Sequence, residues 1–553
     1  MLILPILNFL KNQSNTLMSL FRKKSLEAIL AQAADSEKGM KRTLGAGNLI
    51  ALGVGAIIGA GLFVRTAAAS AEAAGPAVTL SFVVAAIGCA FAGLCYAEFA
   101  SMIPIAGSAY AYSYVTMGEL VAWIIGWALI MEYALGAATV SIAWSEYLNK
   151  LLGGGVPYEW SHSPFEHLYS VAGSAINSFP SDIAKAAKEG VLILTEDQYK
   201  GLATNLQSLV TVHTGVFNAP ALIILLLITL LLIKGTQESA IVNAIIVFVK
   251  VAIVLLFIFL GWKFINPANH NPYFIPANTP GHEGFFKHGW GGVVGGAAIV
   301  FFAFIGFDAV STAAQEAKNP KRDMPIGILG SLVVCTILYI LFGHVLTGVA
   351  PWQEFKTAGK EASVAYAINT YMTGYGWLAK AVTIAILAGF SSVILVMLMG
   401  QSRIFYTMSN DGLIPKAFGE LHPKFKTPYK ANMILFVFVG LFAGFVPGSV
   451  AGDLTSFGTL FAFVLVSIGV WILRVKSPNM QRPFRTPLAP VVSVLGAVIC
   501  FGMIVALDLQ TLKVAFGWMA LGLIVYFAYS RKNSKLRNPA DVLPKASDFE
   551  ANN

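Results

Sequence analysis

Apolar runs long enough to cross a bilayer recur along this chain from residue 46 to residue 530, each closed by a polar stretch. Twelve can be read, at about 46–69, 77–103, 119–148, 219–235, 240–262, 290–313, 326–350, 375–402, 430–447, 452–474, 487–508 and 512–530. They are numbered here as spans 1 to 12. Most connections are short. Residues 149–217 are the exception, mixing Gly, Ser, Pro and charge, with a surface-helix pattern near 181–189. The pattern predicts an all-α integral membrane protein with one extended loop.

Two of the spans do not read as continuous helices. In AGNLIALGVGAIIGAGLFVRTAAA (46–69), Gly53, Gly55, Gly59 and Gly61 crowd the middle. Glycine costs roughly 1 kcal/mol relative to alanine in a helix interior, so the four together predict an unwound turn at mid-membrane. Freed N–H and C=O groups are tolerated at that depth only where they line a cavity or meet a ligand. Span 6 has a second interruption, at FFAFIGFDA (301–309). The offset of five spans is odd, so two matching five-span halves would cross the membrane in opposite senses. That is an inverted repeat with a binding site between its breaks. The competing reading is helix packing, since Gly55-x-x-x-Gly59 is a small-xxx-small pattern. A dinucleotide-binding loop is excluded, because no strand precedes the glycines.

Composition supports a membrane protein: 56% of the 553 residues are hydrophobic and 12% charged, with a mean hydropathy of +0.70. The net charge of +9 is accounted for by its distribution, with no nucleic acid required. Basic residues such as Lys41, Arg42, Lys321, Arg322, Arg403, Arg474, Arg485 and Arg531 fall in alternate connections. The positive-inside rule then puts both termini in the cytoplasm and the 149–217 loop outside. Cys89, Cys95, Cys335 and Cys500 lie inside spans without metal-ligand spacing and read as packing residues. Six of the eight histidines (His162, His167, His213, His270, His282, His288) fall in outer connections and read as solvated. Residues 2–10 are apolar but lack the flanks of a signal peptide, and Met18 is an alternative start. No cofactor or metal site is expected.

Ionisable residues within spans are functional candidates. Lys250 sits near the middle of span 5, about 15 Å from either end at 1.5 Å per residue. A charge there costs on the order of 3 kcal/mol. It reads either as a proton-coupling group or as a fixed amine bonding unwound carbonyls. Glu132 in span 3 is a second proton-coupling candidate, with a plain hydrogen-bonding role as the alternative. Asp308 follows the second break and reads as a helix cap or a gate. Glu98, near the end of span 2, reads as a gate or scaffold pair.

Four motifs carry a family resemblance: GVGAIIGAGLF (53–63), GPAVTLSFVVAAIGCAFAGLCYAEFAS (75–101), FFAFIGFDAVSTAAQEAKNPKRDMPIGI (301–328) and GQSRIFYTMSNDGLIP (400–415). Over about residues 19–530 the chain resembles the amino acid–polyamine–organocation superfamily, nearest to permeases of the bacterial cationic amino acid transporter type. The resemblance implies a five-plus-five inverted-repeat fold with two added helices. It implies that a substrate carboxylate meets the first break at Gly59, Ala60 and Gly61, with Ile57 offering a carbonyl. The substrate ammonium would meet Phe302, Ala303 and Ile305 at the second. Lys250 matches the lysine that replaces a sodium ion in proton-coupled relatives. The chain departs from the family at Ala60, where a hydroxyl is common, at Ala128, where an aspartate is usual, and at Gln315, where Glu is common. Met397 matches a pocket-facing position of span 8, where cationic members carry a smaller residue. It therefore reads as favouring neutral substrates, or as ordinary filler.

The expected organisation is a cytoplasmic segment at 1–45, a transport core at 46–474 with the 149–217 loop, spans 11 and 12 within 475–530, and a cytoplasmic tail at 531–553. The expected function is proton-coupled symport of neutral L-amino acids across the plasma membrane by alternating access. Exchange of amino acids or polyamines, and uptake of cationic amino acids, are the alternatives within transport. A non-transporting amino-acid sensor is a remote one, because both tails are short. No clustered nucleophile or acid–base pair suggests an enzyme. Partners expected are the amino acid, protons, the bilayer, and either a small membrane subunit or further copies of the chain.

Overall fold

The computed structural model describes residues 20–25, 42–59, 61–105, 107–180, 191–194, 196–357, 363–505, 507 and 509–537. Ala60, Met18 and the helix expected near 181–189 lie outside the described residues. Among those described, seven helices are long and apolar enough to cross a membrane: Gly61–Met102, Glu119–Leu151, Ser239–Phe264, Pro320–Val349, Gly376–Asn410, Leu454–Lys476 and Leu509–Asn533. Five shorter apolar helices complete the set: Ala46–Ile57, Ala219–Lys234, Gly289–Phe301, Tyr429–Phe445 and Ala489–Val505. The helices fall near the stretches read from hydropathy, but span 7 begins at Pro320 rather than 326, span 8 runs on to Asn410 rather than 402, and span 1 differs twice.

Span 1 is helical over Ala46–Ile57, then resumes at Gly61 and continues to Ala74, five residues beyond its expected end. Gly75, at φ +58°, turns the chain into span 2. The expectation that four glycines unwind together is corrected. Gly53 and Gly55 stay inside the helix, where they admit neighbours. A side chain at Gly53 would collide with Ser331 of span 7. A Cβ at Gly55 would lie 2.6 Å from Ser392 Oγ of span 8 and 2.7 Å from Asn243 Oδ1 of span 5. Close approach therefore offsets the propensity cost of these two, and only the stretch around Ile58 and Gly59 leaves the helix.

Span 7 packs along span 2 and the N-terminal half of span 1, and span 8 packs along spans 3 and 5. Buried ion pairs bind the bundle together away from the breaks. Glu98 accepts from Arg474 at 2.9 and 2.7 Å and from the Thr486 amide at 2.8 Å, and Arg482 lies 3.1 Å away. This is the scaffold alternative for Glu98. Arg403 of span 8 pairs with Glu316 at 2.7 Å. The Thr43 and Leu44 amides both donate to the Glu316 carbonyl, and a parallel bridge joins Leu44 to Ala317. The polar group at the end of span 6 is thus tied to the entry of span 1.

The long loop holds a structure that hydropathy did not indicate. Strands β1 (His167–Ala172), β2 (Val191–Leu194) and β3 (Thr211–Thr214) form an antiparallel sheet in the order β2-β1-β3. Alternation turns Tyr169, Val171, Leu192 and Leu194 onto one face, where they close a small core with Ile176 and Phe179. The reading of the six histidines as solvated is corrected at His282. It is buried, its ring nitrogen lies 3.0 Å from the Ala71 carbonyl, and it packs edge-on against Trp352.

Glu98 is 1% exposed, so its removal strands two arginines beside apolar helices. Glu98→Ala should destabilise the protein by about 3–5 kcal/mol, read as a lower melting midpoint in detergent. Glu420→Ala, which breaks a half-exposed pair with Lys430, should leave the midpoint nearly unchanged.

Candidate functional site

The breaks of spans 1 and 6 lie against each other. Span 6 is helical over Gly289–Phe301, tightens into a 3₁₀ turn at Phe302–Phe304, and continues as a 3₁₀ helix over Asp308–Glu316. Gly306, between the two pieces, takes φ +115°, and a Cβ there would lie 2.8 Å from Ala56 of span 1. A side chain at Gly61 would collide with the backbone of Ala303. The span 6 break therefore needs its glycine both for its path and for its neighbour, and the span 1 break needs Gly61 for its neighbour.

Tyr339 of span 7 joins them. Its hydroxyl lies 2.8 Å from the Ile57 carbonyl and 2.9 Å from the Ala303 carbonyl, so one donor spans the two breaks. Its ring packs on Phe82 and Phe304, each at 5.2 Å between centroids. Sequence reasoning missed this residue. The available signal was a tyrosine in the otherwise apolar ILYILFGH of span 7. The carbonyls of Ile57 and Ala303, expected to face substrate, are engaged by the tyrosine in this conformation.

Lys250 serves the other side of span 1. Its ammonium nitrogen donates to the carbonyls of Gly55, at 2.9 Å, and Ile58, at 2.7 Å, and the residue is fully buried. These carbonyls end the N-terminal half of span 1. A helix C-terminus carries partial negative charge, so a cation there is favoured. Space for it comes from Gly389 of span 8, where a Cβ would lie 3.3 Å from the Ile58 carbonyl and 3.7 Å from Lys250 Cδ. Ser392 donates to Asn243 at 2.6 Å, and Asn243 donates to the Ala51 carbonyl at 3.2 Å, extending the polar seam between spans 1, 5 and 8.

A cavity opens beside the breaks. Span 1 contributes Ala56, Ile57, Gly59 and Gly61, and span 6 contributes Ile305. Span 3 contributes Gly136, Thr139 and Val140; span 8 contributes Val393 and Met397; span 10 contributes Thr455. Among the described residues, none that lines it is ionisable. Thr139 donates its hydroxyl proton to the Leu135 carbonyl at 2.9 Å, so it offers the cavity only acceptor capacity. Of the residues expected to bind substrate, Ile57, Gly59, Gly61, Ile305 and Met397 line this space. Ala303 lies in the span 6 break beside them, and the Phe302 side chain lies outside the described residues. The residues from spans 3 and 10 were not expected, because nothing in the local sequence shows which helix face turns inward.

Glu132 and Asp308 form a separate buried cluster. Glu132 lies in a π-helical turn, Met131–Leu135, and both its oxygens are buried without a hydrogen bond of ordinary geometry. Asp308 and Thr459 are the polar groups beside it. Asp308 accepts from the Tyr133 hydroxyl at 2.6 Å. The helix-cap alternative for Asp308 is corrected: the residue opens a 3₁₀ helix whose cap position is Phe307, and no side chain caps it. Glu98 is remote from the cavity, in the ion-pair group described above.

The amino acid permease family matches residues 44–529. The chain is 42% identical over 519 residues to a branched-chain amino acid permease of Bacillus subtilis (strain 168), covering 94% of this chain and 99% of the relative. It is 39% identical over 518 residues to a methylthioribose transporter of the same organism, with the same coverage. A vacuolar cationic amino acid transporter 4 of Arabidopsis thaliana is 31% identical over 461 residues, covering 83% of this chain and 68% of the relative. Two touching helix breaks beside an apolar cavity, in a chain matched along nearly its full length, lead to one conclusion: the protein belongs to the amino acid permease family, and is a multi-pass membrane transporter of amino acids rather than an enzyme.

Proposed function

We propose that the protein takes up neutral aliphatic L-amino acids across the cytoplasmic membrane, driven by protons, through alternating access of a five-plus-five inverted-repeat core. The observation that carries the reading is the Lys250 amine on the Gly55 and Ile58 carbonyls. Hydrogen bonds from a charged donor are roughly twice as strong as neutral ones. A protonated Lys250 therefore holds the N-terminal half of span 1 against span 5, and loss of the proton loosens it. Proton occupancy thereby biases the element that the substrate touches. Glu132, buried beside Asp308, is the second proton-binding group in this scheme.

Substrate polarity follows the helix ends. The carboxylate meets N–H groups where span 1 resumes near Gly61, and the ammonium meets carbonyls at the span 6 break. An uncharged lining favours an aliphatic side chain over a guanidinium, in line with the branched-chain relative. The methylthioribose relative supports a second reading. A ribose would need hydroxyl partners, and the Thr139 hydroxyl already spends its proton on Leu135. The distribution of basic residues supports cytoplasmic termini in this scheme. One proton entering at 100 mV supplies roughly 2.3 kcal/mol, about a fiftyfold gradient of a neutral substrate.

In proteoliposomes with an imposed pH gradient, Lys250→Ala should lower leucine accumulation at least tenfold while leaving counterflow exchange measurable; full pH-driven accumulation in the variant would refute the coupling role. Tyr339→Phe removes the donor shared by Ile57 and Ala303. At about 1–3 kcal/mol for an unsatisfied buried acceptor, it should raise the apparent KM for leucine roughly tenfold, measured by initial uptake rates at saturating proton drive.

A further inference from the structure

We infer that a cleft between the starts of spans 1 and 5 holds the phosphate headgroup of an anionic phospholipid, with one acyl chain lying along span 5. Spans 1 and 5 begin, and span 6 ends, at the end of the bundle that carries the N-terminus. A cavity of about 530 Å³ opens there. Its polar wall is Thr43, Asn48 and Lys318, and its apolar wall includes Ile241, Ile245 and Phe248. It shares no lining residue with the cavity at the helix breaks.

Backbone contacts fix the polar wall. The Thr43 and Leu44 amides donate to the Glu316 carbonyl, and the Lys318 amide donates to the Leu44 carbonyl at 2.8 Å. The backbones of Thr43 and Lys318 are thereby held side by side on one rim, although far apart in sequence. The Thr43 hydroxyl is buried and has no hydrogen-bond partner among the described residues. Asn48 and Lys318 are exposed. All three side chains present donors, and no acidic residue lines the cavity among the described residues. In sequence, the segments that form the rim carry Lys41, Arg42, Lys318, Lys321 and Arg322 against Glu238 and Asp323. Asp323 accepts from the Asn319 amide at 3.2 Å, within its own turn. Donors beside an excess of positive charge suit the unesterified oxygens of a phosphate. A choline or ethanolamine head would bring a cation of its own to this basic rim, so the lipid is an anionic one.

The apolar wall gives the chain its course. Ile241, Ile245 and Phe248 stand at i, i+4 and i+7 and share one face of span 5. All three are exposed, Phe248 by 73%. They run about 10 Å from the rim toward mid-membrane at 1.5 Å per residue. A partner helix is the competing occupant. One 10–12 Å across would fill roughly 800–1,200 Å³ over that length, more than the cavity offers. A single acyl chain is narrower. An occupant here braces the same two spans that Lys250 joins deeper in the bundle.

The test is native mass spectrometry of the full chain, released from detergent holding equal amounts of phosphatidylglycerol and phosphatidylcholine with identical chains. It needs no transport, so its outcome is independent of the transport reading. The first lipid retained should be phosphatidylglycerol, favoured by about fivefold or more, the factor for one basic residue near an anionic lipid. Lys318→Gln should lower that retention about fivefold, and Thr43→Val about threefold or more. Lys424→Gln, which changes an exposed lysine outside the cavity lining, should leave it unaltered. Equal retention of the two lipids by the wild type would overturn the inference, as would a loss in Lys318→Gln no larger than in Lys424→Gln. Displacement of phosphatidylglycerol by millimolar inorganic phosphate would overturn it too, by making the cleft a site for a soluble anion. So would a co-purifying small membrane peptide whose presence excludes the lipid.

Discussion

A buried ammonium held by two peptide carbonyls organises this protein. Lys250 enters the middle of a helical bundle where a charge is costly, and it is tolerated because span 1 stops being a helix at that point. The unwound turn supplies the carbonyls of Gly55 and Ile58, and the lysine supplies the donor they would otherwise lack. Neither defect would be stable alone: an orphaned carbonyl in the membrane and an unpaired amine each carry a desolvation cost. Together they satisfy each other.

Opposite this contact the two breaks are coupled by shape and by one hydroxyl. Gly61 against Ala303 and Gly306 against Ala56 leave no room for either span to move without the other. Tyr339 adds a donor shared between them. Spans 1 and 6 therefore meet as one packed unit, and in the proposed cycle a protonation change at Lys250 would shift that unit. Spans 3, 8 and 10 present the remaining walls.

Much of this was legible in sequence because it depends on local composition. Twelve apolar stretches, two glycine-rich interruptions, a mid-span lysine and a methionine in span 8 are all visible as residues out of keeping with a lipid-facing helix. What was not legible depends on rotation and distant packing. Gly53 and Gly55 look like Gly59 in sequence, yet they seat Ser331, Asn243 and Ser392 while Gly59 leaves the helix. Tyr339 is one aromatic among many until span 7 is turned toward both breaks. Gly136 and Thr139 follow a π-helical turn that re-phases span 3, and no periodicity announces that turn. The β-sheet in the long loop escaped notice because its strands are only four to six residues long.

The central claim is that proton occupancy at Lys250 and substrate occupancy at the breaks belong to one cycle. The most direct test measures both fluxes in the same proteoliposomes, clamped at zero membrane potential with no initial pH difference. Leucine added outside should draw protons inward with it, registered by an entrapped pH dye as acidification that follows the time course of leucine entry. Leucine entry with no accompanying proton movement would contradict the account.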